Sequence, residues 1–251
     1  MINLSQATLA AVDRYWAAFF GCDPALLVAP GTTIVPHAGL GDYHGLFAFR
    51  RRETLIISVP PGRLEQDRAA LGAFPATLLD DLPTLLGQIA APIERVVGPA
   101  FVGYADAATF RPESAAGTRL LTGDDRERFE RFRDACSALE WEHGGSNLDA
   151  QPVVGYFVSD QIVAASGFEL WGEQIAHIAV VTHPGYRGLG YGGKVVSAIV
   201  ALALERGLIP QYRTLMSNTP SIKIGAALGF VLYGESVAVR LKGDQIGFPR
   251  N

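Results

Sequence analysis

The stretch that decides the fold is Val180-Val181-Thr182-His183-Pro184-Gly185-Tyr186-Arg187-Gly188-Leu189-Gly190-Tyr191-Gly192-Gly193-Lys194. It starts with β-branched residues and runs into the apolar segment Val195 to Leu204, so it links a strand to a helix. Glycines at such a link let backbone N–H groups approach a phosphate without obstruction by Cβ. The helix N-terminus adds about half a positive charge. A bound anion is the physical expectation.

Two other motifs share these residues. Gly188, Gly190 and Gly193 match G-x-G-x-x-G, and Gly188 to Lys194 approaches G-x-x-x-x-G-K-[ST]. Neither context holds. The dinucleotide motif needs an acidic residue at the end of the next strand, and Gln211 to Met216 has none. The phosphate-binding loop needs a hydroxyl for Mg²⁺ where Val195 stands. A purely structural turn is the plain alternative, yet four glycines in the six residues 188–193 exceed what a turn requires.

Upstream, three β-type runs lead into the loop: Val153 to Val158, Gln161 to Phe168 and Gln174 to Val181. Ser159-Asp160 joins the first two as a tight hairpin, so an antiparallel meander is predicted. Before it, Arg119 to Thr122 reads as a short strand. Asp124 or Asp125 then caps a helix carrying Phe129, Phe132, Cys136 and Leu139, and Trp141 to Pro152 reads as a loop. Downstream, the helix from Gly190 to Arg206 ends at Gly207, and a strand follows near Tyr212 to Met216. Thr219 and Pro220 open another helix. Phe230 to Leu232 and Val237 to Leu241 close the chain as strands.

The N-terminal half has its own pattern. Leu9, Val12, Tyr15, Trp16, Phe19 and Phe20 share one helical face; Thr32 to Val35, Gly45 to Arg50 and Thr54 to Val59 read as strands. A helix is predicted from about Pro75 to Ala90 and a strand over Val96 to Tyr104. From Asp106 to Thr118 the chain turns small and polar, which sets a boundary between residues 1–111 and 112–251.

Composition narrows the class. The 251 residues are 49% apolar and 18% charged, as in a folded globular chain. The longest apolar run, Val195 to Leu204, is far short of the roughly 18 residues that cross a bilayer, so no membrane partner is expected. A formal charge of -4 gives no footprint for nucleic acid, and the run Arg50-Arg51-Arg52 reads as a solvated strand end or turn. Cys22 and Cys136 are too few and too distant for a disulfide framework, which fits a cytoplasmic protein. His37, His44, His143 and His183 show no metal-ligand spacing, so no metal is expected.

With these residues in view, the C-terminal half resembles the GCN5-related N-acetyltransferases (GNAT). Thr182, Pro184, Arg187, Gly188, Gly190 and Gly192 stand in register with that family's T-x-P-x-x-R and R/Q-x-x-G-x-G/A motifs. Asn218, Ser221, Leu228, Gly229 and Phe230 match its second motif, and Gly207 with Pro210 suggests the FR47-like branch. The resemblance implies an α/β (α+β) fold with a mixed, mostly antiparallel sheet flanked by helices. It runs from about Arg119 to Leu241. The N-terminal α/β domain is then either a degenerate copy or a cap that shapes the substrate cleft.

The resemblance further implies acetyl transfer from acetyl-CoA to a primary amine by direct attack in a ternary complex. The acceptor would be a small molecule or a peptide, and a homodimer is compatible with the pattern. The loop Arg187, Gly188, Leu189, Gly190, Tyr191, Gly192 and Gly193 would wrap the pyrophosphate. Ala179, Val180, Val181 and Thr182 would line the pantetheine, with an N–H of Ala179, Val180 or Val181 on the thioester oxygen; Asn218 would lie beside the pantetheine. The position that often carries the family's glutamate base falls on Ile175 or Ala176, and that of its tyrosine acid on Gly225. Strand alternation puts Glu173 and His177 on one face as substitute bases, although His177 reads equally well as an ordinary strand histidine. Tyr212 and Tyr233 are candidates for the acid. Trp141, Glu142 and His143 would line the acceptor side. The rival reading is a non-catalytic acyl-CoA-binding module.

Overall fold

The structure is a computed structural model that describes residues 3–243. In chain order its main elements are α1 (Gln6–Phe20), β1 (Gly31–Pro36), β2 (Gly45–Arg51), β3 (Thr54–Val59), α2 (Leu64–Leu71), α3 (Leu82–Gly87), β4 (Ile93–Tyr104), β5 (Thr118–Leu120), α4 (Arg126–Asp134), α5 (Ala138–Gly144), β6 (Val153–Val158), β7 (Gln161–Trp171), β8 (Ile175–Thr182), α6 (Tyr191–Glu205), β9 (Ile209–Leu215), α7 (Thr219–Ala227) and β10 (Val231–Leu241).

These elements form two compact units that are interleaved in sequence. The first unit holds Gln6–Val102, Thr214–Asn218 and the described residues from Leu232 on. The second holds the described residues up to Ser5, Gly103–Arg213 and Thr219–Val231. A cut at 111/112 assigns all of β10 to the second half, whereas most of that strand lies in the first unit.

In the first unit the strand order is β1-β3-β2-β10-β4. β3 runs parallel to β1 along all six residues and antiparallel to β2. Every residue of β3 is buried, which explains why Leu55, Ile56 and Ile57 are apolar on both faces without alternation. One face of this sheet packs Leu55, Ile57, Val59, Leu71, Leu79 and Val237 into a core. On α1, Trp16 stacks on Phe49 with ring centroids 4.2 Å apart. The run of three arginines is mostly paired: Arg50 binds Asp80 at 2.6 Å and also Glu235, and Arg51 binds Asp13 at 2.7 Å. Only Arg52, with φ of 54°, is the turn residue.

Four local expectations are corrected here. The stretch from Pro75 to Ala90 is not one helix: a 3₁₀ turn, Ala76–Asp80, precedes α3, which Asp81 caps through the Thr84 N–H at 3.1 Å. Helix α2 escaped the periodicity reading because its Asp67 is buried in a bidentate pair with Arg63. Phe129 to Leu139 is split into α4 and α5, since Ser137 starts a new helix in a reciprocal capping box with Glu140. Trp141, Glu142 and His143 therefore lie on α5 rather than in a loop. Finally, the two closing strands are one, β10.

In the second unit the order is β9-β8-β7-β6-β5, with the predicted meander intact from β6 to β8, β5 antiparallel to β6, and a single parallel step from β8 to β9. Val181 packs with Phe129 and Phe132 of α4, while a Cβ on Gly192 of α6 would lie 3.0 Å from the Thr182 side chain. Adjacent strand residues point to opposite faces, so α4 and α5 cover one face of the sheet and α6 the other.

Candidate active site

The site begins where β8 and β9 part. Their pairing runs through Ile175↔Ile209, Ala176↔Pro210, His177↔Gln211 and Ile178↔Tyr212, and then stops. Residues Ala179 to Thr182 keep their β7 partners, Gly167 to Ala164, but have none on β9. At the start of the pair the Ile209 N–H donates to the Gln174 carbonyl at 2.8 Å. Alternation then directs the backbone polar groups of the even residues, Val180 and Thr182 included, toward the β9 side. Beyond Ile178 the missing partner leaves an opening, in which the Thr182 carbonyl accepts from Arg187 instead of from β9.

That opening leads into the glycine loop. His183 caps a short 3₁₀ turn by accepting the Gly185 N–H at Nδ1, 3.1 Å away. Gly188 and Gly190 have φ of 78° and 82°, a region that L side chains rarely adopt, and Gly190 is the N-cap of α6. A glycine cap has no side chain to satisfy the first-turn N–H groups, so they stay available to water or a ligand. Arg187, Gly188, Leu189 and Gly190 are exposed, whereas Gly192 and Gly193 are buried. Gly192 is fixed by space, since a Cβ there would come within 3.2 Å of Ile224.

Arg187 does more than the sequence suggested. Its Nε donates to the Thr182 carbonyl at 3.2 Å and its Nη2 to Glu140 at 2.5 Å, bracing the loop against α5. Hydrogen bonds from the backbone and hydroxyl of Ser137 come first among the causes that hold the Glu140 carboxyl below its usual range; Arg187 adds to them. Glu140 was not among the sequence candidates, although Ser137-x-x-Glu140 was a readable capping signal.

On the α4 and α5 face, His177 stands one residue before the strands part. Its Nδ1 lies 3.0 Å from Gln211 Oε1, and Gln211 Nε2 donates to the Tyr104 hydroxyl at 2.5 Å. The Trp171 ring stacks on the imidazole, 3.8 Å between centroids and 12° from parallel, and the Arg213 guanidinium lies 5.7 Å from the Trp171 ring. Burial first, then the Arg213 charge, pushes the imidazolium down to about 3, against an opposing hydrogen bond from Gln211. His177 is thus neutral at physiological pH.

Glu173 is not beside it. The β7–β8 hairpin turns at Gly172 to Gln174, so Glu173 is exposed at the tip, outside the alternation that the sequence reading extended to it. Trp141 belongs to an aromatic cluster with Phe129 and Phe132, at 5.5 and 5.9 Å, whereas Glu142 and His143 are exposed on α5. At the end of α5, a Cβ on Gly144 would come within 2.5 Å of the Val180 carbonyl oxygen. This helix end therefore abuts the unpaired part of β8.

On the α6 face, the Tyr212 hydroxyl is 2.8 Å from Ser221 Oγ, and burial pushes its pKa up to about 12. The Tyr212 ring lies against Gly225, where a Cβ would be 3.3 Å from it. Tyr233 instead bonds Asp13 within the first unit at 2.6 Å. Asn218 is exposed in the turn before α7, with its N–H on the Leu215 carbonyl at 2.9 Å. Among the described residues, no group of three or more His, Cys, Asp or Glu gathers as metal ligands, and no helix is long and apolar enough to cross a membrane.

A parallel strand pair that opens into a glycine loop at a helix N-terminus is the arrangement that the resemblance to the GNAT family leads one to expect, and the comparisons bear on it. Residues 117–230 match the model of the Acetyltransferase (GNAT) family, so the chain carries a GNAT acetyltransferase domain. The general chemistry of that family is acyl-CoA-dependent N-acetyl transfer. Among solved structures, an acetyltransferase of the GNAT family from Colwellia psychrerythraea is 15% identical with a TM-score of 0.53, over 96% of this chain and 98% of that one. A GCN5-related N-acetyltransferase-like protein from Streptococcus suis is 18% identical with a TM-score of 0.47, over 93% of this chain and 99% of that one. The first of these shows that the fold is shared along nearly the whole chain. A search of curated proteins finds no match. The FR47-like branch rests on Gly207 and Pro210 alone.

Proposed function

We propose that this protein moves an acetyl group from acetyl-CoA to a primary amine by direct attack in a ternary complex. The observation that carries the reading is the end of β8–β9 pairing at Ile178↔Tyr212, immediately before the glycine loop. Pantetheine would lie along Ala179 to Thr182 in place of the missing strand, with its pyrophosphate on the N–H groups of residues 188–193. Of the three candidate oxyanion donors, the Val180 N–H is preferred because alternation directs it into the opening. Such a preplaced donor is worth roughly 3 kcal/mol at the transition state.

The amine would approach from the α4 and α5 face and meet the thioester where the strands part. Its nitrogen attacks the carbonyl carbon, the C–S bond breaks with its electron pair on sulfur, and the amine loses one proton. His177 is the group proposed to meet that N–H. Its lone pair is available, but an imidazole whose conjugate acid is so acidic is a poor base toward a free alkylammonium, so the neutral amine is the reacting form, and His177 takes the proton from the far more acidic ammonium that the attack creates. Glu173, exposed at the hairpin tip, is given no such role. Asn218 would contact the pantetheine. Acceptors are small-molecule or peptide amines, and the two free cysteines fit a cytoplasmic setting.

A non-catalytic acyl-CoA-binding module is the second reading, favoured by Ile175, Ala176 and Gly225 where relatives carry their acid–base groups. Calorimetric titration of acetyl-CoA into the full chain, followed by thiol release with a panel of amines, decides between them. Binding with turnover supports transfer; binding without turnover across the panel supports the module. No binding of acetyl-CoA overturns both.

A further inference from the structure

We propose that Tyr104, Gln211 and His177 form a fixed hydrogen-bonded relay that presents His177 Nε2 to the acceptor nitrogen, with Gln211 and Tyr104 as positioning residues for that contact. This rests on the transferase reading above. Gln211 and Tyr104 are both 0% exposed, so the middle and far end of the relay are sealed from water. The two ends of the Gln211 carboxamide are both used, one on His177 Nδ1 and one on the Tyr104 hydroxyl. It cannot rotate without breaking a buried hydrogen bond and leaving a sealed polar group unpaired.

The imidazole is held in two more ways. His177 and Gln211 are direct partners in the parallel ladder, which fixes their backbones. The parallel face of Trp171 at 3.8 Å blocks rotation of the ring. With Nδ1 engaged, Nε2 is the one remaining polar atom of the ring. It has no hydrogen-bond partner among the described residues, and the residue keeps part of its surface accessible. A ring nitrogen that is rigid, otherwise unpartnered and one residue from the parting of the strands suits recognition of an N–H donor. The charged and titratable groups beside it are Arg213 on β9, Glu169 opposite it on β7 and Tyr104 on β4, and α5, which packs on β8, carries Glu140, Glu142 and His143.

The test replaces the carboxamide with a carboxylate. In the wild type, kcat/KM with the most active amine of the panel, or with water, should show no limb from His177 between pH 5.5 and 9. Gln211→Glu puts a negative charge at Nδ1 and should move the His177 titration, followed by NMR at Cε1–H, into that range. A new acid limb in kcat/KM should appear at the same midpoint, with acetyl-CoA affinity within twofold of wild type. Tyr104→Phe, which removes one oxygen, should lower kcat several-fold and leave the acetyl-CoA KM unchanged.

A moved NMR titration with a flat pH profile overturns the relay, as does an unmoved titration in folded Gln211→Glu. So does an unchanged kcat in folded Tyr104→Phe, which keeps the test decisive if Gln211→Glu fails to fold. Wild-type protein that binds no acetyl-CoA overturns the transferase reading itself, and that result is distinct from binding with a flat profile.

Discussion

Each unit of this chain contains an antiparallel hairpin that runs into a helix, and the two treat that junction in opposite ways. In the first unit β3 is paired with β1 along its full length and with β2 from Thr54 to Ser58, all six of its residues are buried, and it leaves the sheet through Pro60-Pro61-Gly62. Prolines remove N–H donors from the turn. In the second unit β8 loses its β9 partner after Ile178, four of its eight residues stay partly accessible, and it leaves through a glycine loop that keeps its N–H groups. The same supersecondary pattern thus gives a closed core in one place and an open backbone in the other. Pairing and loop chemistry make the difference.

The largest effect that would break this comparison is in the core. Ile57→Ala in β3 should cost about 4 kcal/mol, because the fully buried side chain leaves a cavity, whereas Val180→Ala in β8 should cost about 1 kcal/mol. Urea denaturation of the two variants checks it; equal losses would mean that β8 is as closed as β3.

Next comes the loop. Gly190→Asp puts a side chain at φ of 82° and a negative charge at the N-terminus of α6, so acetyl-CoA affinity should fall by about 100-fold or more, roughly 3 kcal/mol. Arg187→Glu should act in the same direction, since it also breaks the brace to Glu140. Gly62→Ala, at the matching junction of the first unit, meets no atom within 4 Å and should leave affinity within twofold. Calorimetry on the three variants reads the contrast directly.

A smaller effect sharpens the second unit's own stability. The two hydrogen bonds from Arg119, at 2.6 Å each, hold the buried Asp125 carboxyl down to about 2, and the Thr122 N–H adds to them. The folded pKa lies below the unfolded one, so this stabilisation is present in full above about pH 4 and is lost as pH falls toward 2. Asp125→Asn should cost about 2 kcal/mol at pH 7. The gap between variant and wild type in urea midpoints should close over that window; a gap that persists at pH 2 would assign the loss to something other than charge.

The sequence made the loop, the meander and α6 legible because their signals are local: glycines at set offsets, strand alternation and an apolar helical run. It misled where a periodic pattern crossed a break between two helices. Phe129, Phe132, Cys136 and Leu139 keep helical spacing, yet Ser137 restarts the helix and leaves Leu139 57% exposed. Helix α2 was invisible because an ion pair, not an apolar side chain, fills its buried position at Asp67. The site was legible only on its glycine side. His177 and Gln211 are 34 residues apart in sequence, and the register of a parallel pair joined through α6 is a tertiary property. Glu173 looked like a partner for His177 because nothing in the alternation marked where the strand gives way to the turn.

The central claim is that the open half of β8 and the loop after it hold acyl-CoA, and amide hydrogen exchange on the full chain tests it most directly. With saturating acetyl-CoA, exchange should slow at Val180 and across residues 188–193, and stay unchanged across 54–63. Unchanged exchange at 179–193 in protein that binds acetyl-CoA, or protection confined to the first unit, would contradict the account.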